Sequence, residues 1–144
     1  MGQQQLLLLV LGIVIVGLAV VVGIQAFGEN QKKANADALV NDAIRIASDA
    51  QAWKLKPLAF GGGANGDAND FAAFSFEQVG YTTGTNGAGA GEYGNLNGVF
   101  SIAKTADLLT ITAINASNLN QVVVEVDGTT TDNIETTVSN YTAL

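Results

Sequence analysis

At 144 residues and a formal net charge of −7, the chain has room for one domain and an appendage. It contains no Cys and no His, which excludes disulfides, thiolate metal sites and imidazole acid–base chemistry. The charge is unevenly placed. Up to Trp53 there are three basic residues (Lys32, Lys33, Arg45) and four acidic ones (Glu29, Asp37, Asp42, Asp49), and the remainder carries three basic and nine acidic residues. An acidic head of this kind repels nucleic acid, and no basic patch with interleaved aromatics attracts it.

No charged side chain precedes Glu29, and Leu6–Ile24 (LLLLVLGIVIVGLAVVVGI) is apolar without a break. Nineteen helical residues at ~1.5 Å each reach about 28 Å, enough to span a bilayer. The segment makes a poor cleavable secretory signal: it lacks a basic start, its apolar run is too long, and no convincing small-x-small cleavage site follows. Residues 1–28 are therefore expected to form an apolar assembly or transmembrane helix.

From Glu29 the same helix is expected to continue, now amphipathic, over residues 29–56. Ala36, Leu39, Ala43, Ile46, Ala50 and Trp53 recur at steps of three and four and share one face. Leu39, Ala43, Ile46 and Trp53 are the expected head core. Asn35, Asn41, Asp42, Arg45, Ser48 and Asp49 fall largely on the other side, where Asp42–Arg45 and Arg45–Asp49 have the spacing of weak helical ion pairs. Pro57 ends the helix through its effect on Lys56.

Residues 57–98 read as loop and short helix. Asp70 is placed to cap a helix over Phe71–Val79, and Gly84–Gly94 reads as a second glycine-rich loop. From Val99 the pattern turns to β. Val99–Ala103 and Leu108–Ile114 flank a KTAD hairpin signal, Val122–Val126 is a third strand, and Ile134–Tyr141 follows the turn DGTTTDN as a fourth. The expected fold class is α+β: a long N-terminal helix packed on a four-stranded antiparallel sheet over residues 99–144, all within a head of residues 29–144.

Chemical motifs are sparse. Gly89–Gly94 fits GxGxxG, but a loop precedes it and a strand follows, so the phosphate-binding context of strand then helix is missing. Asp127, Asp132 and Glu135 sit in or near one turn whose spacing matches no established cation loop, and they read as a solvated acidic turn. The serines have no base beside them. No catalytic, cofactor or metal site is expected, and the chain is read as a structural protein, not an enzyme. Asn115-Ala116-Ser117 and Asn140-Tyr141-Thr142 fit the glycan acceptor pattern, as chance allows in a chain so rich in Asn and Thr.

This plan resembles the type IV pilin family and its secretion-system relatives, the pseudopilins. Leu6–Ile24 is similar to the family's apolar half-helix, with Gly12, Gly17 and Gly23 where such helices loosen on assembly. Glu29–Trp53 resembles the amphipathic half, and FSFEQVGY (Phe74–Tyr81) falls at the family's variable connection from helix to sheet. The resemblance in sequence covers the N-terminal third, and in plan the whole chain. It implies an assembly surface of Met1, Gln5, Leu6, Leu9, Gly12, Val16, Gly17 and Gly23. It also implies a homopolymeric filament on a bacterial surface, storage in the inner membrane before assembly, and pilus assembly machinery as a partner.

Two departures stand out. The family usually has Glu where this chain has Gln5, a carboxylate thought to meet a neighbour's N-terminal amine. The family also has a short basic leader ending in Gly, whereas only Met1 and Gly2 precede the glutamines here. Lys32 and Lys33 follow the apolar run and nothing basic precedes it, which by the positive-inside rule would place the N-terminus outside, the reverse of a stored pilin. The resemblance therefore implies that Met1 begins a processed chain. Processing after Gly2 is the alternative, and would make Gln3 the first residue and Leu7 the fifth. Two other roles remain open: a pseudopilin of a type II secretion system, and a single-span anchor displaying a β-rich binding domain.

Overall fold

One helix and one antiparallel meander account for most of the regular structure, and the first of these is unusually long. In a computed structural model, which describes residues 2–63 and 70–140, α1 runs unbroken over Gly2–Leu55. The chain divides into two units, Met1–Ala34 and Asn35–Leu144. The first unit is helix alone. The second, the head, holds the last part of α1 and a five-stranded antiparallel sheet. Its strands are β1 (Tyr93–Gly94), β2 (Val99–Lys104), β3 (Leu109–Asn115), β4 (Asn120–Val126) and β5 (Ile134–Asn140), in simple meander order.

The sheet has five strands, not the expected four. The additional strand, β1, lies inside the stretch read as a glycine-rich loop, where Tyr93 pairs with Phe100 and Gly94 with Val99. Two residues are too few to show alternation, so no period marks it in the sequence. β4 also begins two residues before the expected strand, at Asn120. The helix expected over Phe71–Val79 is not formed. Asp70 instead accepts a hydrogen bond from the Ala72 amide (2.9 Å), closing a local turn. Only Phe76–Val79 coils, as a 3₁₀ turn bracketed by a reciprocal Ser75–Gln78 capping box.

The head core follows from two periods meeting. On α1, Leu39, Ala43, Ile46, Ala47, Ala50 and Trp53 are buried. The alanines keep this face thin, so the helix backbone lies close to the sheet. On the strands, burial alternates: Leu109, Ile111 and Ala113 on β3 meet Val122, Val124 and Val126 on β4. Phe71, Phe74, Phe76 and Phe100 fill the remaining space, with Phe74 edge-on to Trp53 at 5.5 Å between centroids. The Lys54 ammonium lies 4.2 Å from the Phe71 ring centroid, and its stem is buried along the same surface.

Polar flanks orient the helix on the sheet. At one end Asn95 Nδ2 and Asn97 Nδ2 donate to Asp42 Oδ2 (2.8 and 2.7 Å), while Asn35 donates to the Asn97 carbonyl (3.0 Å) and accepts from Asn120 (3.1 Å). At the other end Gln51 Nε2 donates to the carbonyls of Gly128 and Thr130 (3.1 and 2.9 Å), clasping the β4–β5 connection. The close approach at the first end requires glycine at position 98. A Cβ there would stand 2.4 Å from the Ile114 carbonyl oxygen and 2.8 Å from Leu39 Cδ2.

One element of the sheet works against it. Glu125 on β4 and Glu135 on β5 are direct cross-strand partners, and both are exposed. Like charges placed opposite one another destabilise a strand pair. Glu135→Thr is expected to raise head stability by about 0.2–1 kcal/mol at low ionic strength, with the gain shrinking in high salt. A urea midpoint that does not rise at low salt would place the two carboxylates out of each other's field.

Candidate functional site

The feature with most functional weight is the apolar part of the first unit. Every large apolar side chain from Leu6 to Ile24 is 51–71% exposed, and these residues point in all directions around the axis. The segment is long and apolar enough to cross a membrane, which is consistent with membrane association. Leu9 and Val16 sit within it, and Gln5 is exposed one residue before it begins. A Cβ at Gly12, Gly17 or Gly23 would meet nothing within 4 Å. Nothing within the single chain requires glycine there, although each weakens the helix by roughly 1 kcal/mol relative to Ala in water. The first turn contains no acidic side chain, so no carboxylate offsets the positive end of the helix dipole.

The head offers little chemistry. Asp42 and Asp49, expected to pair with Arg45, are used elsewhere: Asp42 by the two asparagines, and Asp49 by the Tyr81 hydroxyl, which donates to it at 2.6 Å. Burial, the hydrogen bond to Asp49 and the Asp49 charge push the Tyr81 phenol well above its ordinary pKa. The hydroxyl thus stays protonated and serves as a fixed donor. Tyr81 also stacks obliquely on Tyr93 (4.8 Å between centroids), which continues to Phe100 at 5.6 Å.

The GxGxxG stretch already has its own anion. The Glu92 carboxylate accepts from the Gly89 amide (2.8 Å), and the Gly84 amide is taken by the Glu92 carbonyl (2.9 Å). Its last two residues, Tyr93 and Gly94, form β1, and a turn follows them where the motif requires a helix. At the acidic turn, the Asp127 amide donates to the Asn133 carbonyl (3.0 Å) and Thr130 Oγ1 bonds Asn133 Oδ1. Among the described residues no three Asp or Glu side chains gather where they could hold a metal ion. Asn115 of the first sequon is tied on both sides, donating to the Asn97 carbonyl (2.6 Å) and accepting from the Asn118 amide (3.0 Å). The second begins at exposed Asn140, and its Tyr141 and Thr142 lie outside the described residues.

Two head features escape sequence reading. One is an open groove of about 260 Å³ lined by Asp49, Ala52, Trp53, Lys56, Gln78 and Val79. The other is Leu96, 98% exposed at the tip of the turn between β1 and β2. A leucine between two asparagines was a signal of the second; the groove has none, because it joins segments more than twenty residues apart. No protein-family model, no curated protein and no solved structure matches this chain.

Proposed function

We propose that this chain is the repeating subunit of an extracellular helical filament of the type IV pilin kind, polymerising through its apolar N-terminal helix. The observation that carries the reading is the uncharged segment Leu6–Ile24, exposed on every side and running without interruption into the amphipathic part of α1. The α+β head, with α1 laid on an antiparallel meander, supports it.

The physics favours storage in lipid followed by transfer to a fibre. Moving Leu6–Ile24 from lipid tails into a bundle of like helices exchanges one apolar setting for another. The gain is packing and lipid release, with no charged side chain to desolvate because none precedes Glu29. Glycines that the single chain does not need let neighbouring helices approach closely. A heterologous contact that does not close on itself generates a helical filament. Acidic heads with Gly- and Asn-rich loops keep its outside soluble. An assembly machine in the inner membrane is the partner this route requires.

The same exposed helix serves a single-span anchor, and a short periplasmic secretion fibre uses the same contacts. Electron microscopy of material sheared from cells separates these readings. Long surface fibres containing the chain are expected, and a chain found only as a monomer in membrane and detergent would overturn the filament. Gln5→Leu refines the test. A neutral hydrogen bond contributes ~0.5–1.5 kcal/mol net, so its loss is expected to weaken each subunit contact roughly two- to tenfold, giving fewer or shorter filaments at normal membrane levels. Filaments of unchanged number and length would remove Gln5 from the assembly surface.

A further inference from the structure

We propose that two copies of this chain join head to head through their free sheet edges, β5 of one pairing antiparallel with β5 of the other about a twofold axis at Thr137. The contact stands whether the chain builds a filament or serves as a single-span anchor.

The two edges of the sheet are treated differently. At β1 the chain closes its own edge: Thr83 bridges to Tyr93, the Gly84 amide donates to the Glu92 carbonyl (2.9 Å), and Asn86 Nδ2 donates to the Gly94 carbonyl (3.0 Å). β5 pairs with β4 along its whole length, and among the described residues no strand pairs with its other side. Residues 135–140 are all exposed, on both faces of the sheet. Val138 lies opposite buried Val122 on the helix side, yet it is 54% exposed, so α1 does not cover this strand. Edge strands are commonly protected by Pro, Lys or a bulge. β5 (IETTVSN) has none of these: its register with β4 is regular throughout, and Glu135 is its single charge.

The backbone specifies a strand as the partner. The Asp127 amide bonds the Asn133 carbonyl one step beyond the β4–β5 ladder, and this sets the alternation. Glu135, Thr137 and Ser139 turn their amides and carbonyls toward β4, while Thr136, Val138 and Asn140 turn theirs outward. The Ile134 carbonyl also points outward, and its amide is already taken by the Thr131 carbonyl. The free edge therefore presents a regular row of donors and acceptors over about 20 Å, the pattern that an added strand satisfies.

That row is self-complementary. About a twofold axis at Thr137, Thr136 faces Val138 of the second copy and Ile134 faces its Asn140. Outward groups then meet outward groups: each Thr136–Val138 pair exchanges two bonds, and each Asn140 amide reaches an Ile134 carbonyl. Acidic heads repel one another, so a seam between copies must keep like charges apart. Here Glu135 faces Ser139 of the second copy, and no carboxylate stands opposite another across the seam. Thr136 of the second copy also gives exposed Val138 a cross-strand neighbour on the helix side. One strand edge is a small contact, below the ~1,200 Å² of a stable complex, so pairing follows local concentration. N-terminal helices gathered side by side in one membrane or fibre supply that concentration. A twofold contact closes on itself. It adds no subunit to a fibre of screw-related copies, and instead links heads of neighbouring fibres or of neighbouring anchored chains.

The chain has no native cysteine, and Thr137 is the position that meets its own mate, in a pair without hydrogen bonds where side chains lie closest. Thr137→Cys in the full chain, oxidised in whole cells with copper phenanthroline, is expected to give a disulfide dimer on non-reducing gels. Glu135→Cys and Ser139→Cys are each expected to give at least fivefold less dimer alone, and to form it when expressed together. Thr136→Pro removes an outward amide without touching the β4 ladder. In the Thr137→Cys background it is expected to cut dimer about tenfold, with the sheet signal in circular dichroism of the solubilised chain unchanged. Absence of dimer from Thr137→Cys, or its capture of another protein instead of its own copy, would overturn the pairing. Equal dimer from all three single cysteines would show unspecific collision and overturn it as well. None of these results depends on whether filaments form.

Discussion

Leu9→Asp is expected to abolish filaments while leaving the head folded. Leu9 is 60% exposed on the helix of the first unit, with only apolar residues for a turn on either side. A carboxylate there has no cationic side chain to pair with in lipid or in a bundle of like helices, and the nearest polar side chain, Gln5 one turn earlier, is neutral. The insertion penalty is roughly 2.5–3.5 kcal/mol for an Asp at a membrane centre, where Val16 lies, and smaller towards the end of the span, where Leu9 lies, and a fibre repeats it in every subunit. Val16→Asp is expected to act in the same way. Electron microscopy reads the filaments and circular dichroism the head. Filaments at wild-type abundance from Leu9→Asp would show that this helix lies outside the fibre core. A plain anchor is also expected to insert poorly with this change, so the result gains its meaning beside Gln5→Leu, which leaves insertion intact.

Trp53→Ala is expected to destabilise the head by about 3–5 kcal/mol. The ring is 4% exposed, it meets Phe74 edge-on, and its indole N–H donates to the Gly61 carbonyl at 3.1 Å. Truncation removes the ring from a close-packed site, leaves that carbonyl without its donor, and opens the floor of the groove. Urea titration of the detergent-solubilised chain, followed by the sheet signal, measures the loss. A midpoint equal to wild type would place the indole outside the core.

The helix and most of the sheet were legible because each is written in a local period. Leu39, Ala43, Ile46, Ala50 and Trp53 mark one face of a 3.6-residue repeat, and Leu109–Asn115 and Asn120–Val126 alternate with a period of two. Pro57 and the glycines after it signal the end of α1. The miss at Phe71–Val79 has a physical cause. Phe71, Phe74 and Phe76 are all buried, a spacing of three then two that no single helix face satisfies, and the chain turns and re-extends to bury all three. β1 was illegible because Gly94 pairs with β2 only once the Asn95 turn and the close approach at Gly98 have set the register.

The polar residues of the amphipathic half mark the boundary between the two kinds of information. Asn35, Asp42 and Asp49 read as solvent-side by their helical angle, and a helical ion-pair spacing offered Arg45 as partner. In the fold they sit on the flanks of the buried stripe, and Asp42 meets asparagines 53 and 55 residues away while Asn35 meets Asn120, 85 residues away. The order of side chains alone determined that the chain begins with a long uncharged apolar helix, that the helix then acquires one apolar face, and that an antiparallel sheet follows it. Those are properties of residue type at fixed spacing along one segment. Which polar groups pair, where the groove opens beside Trp53, and that Leu96 stands out at the tip of its turn were decided only by tertiary structure. Hydrogen-bond partners and surface shape depend on the register in which distant segments meet, and register is set by burying both apolar faces together, not by any one segment's own period.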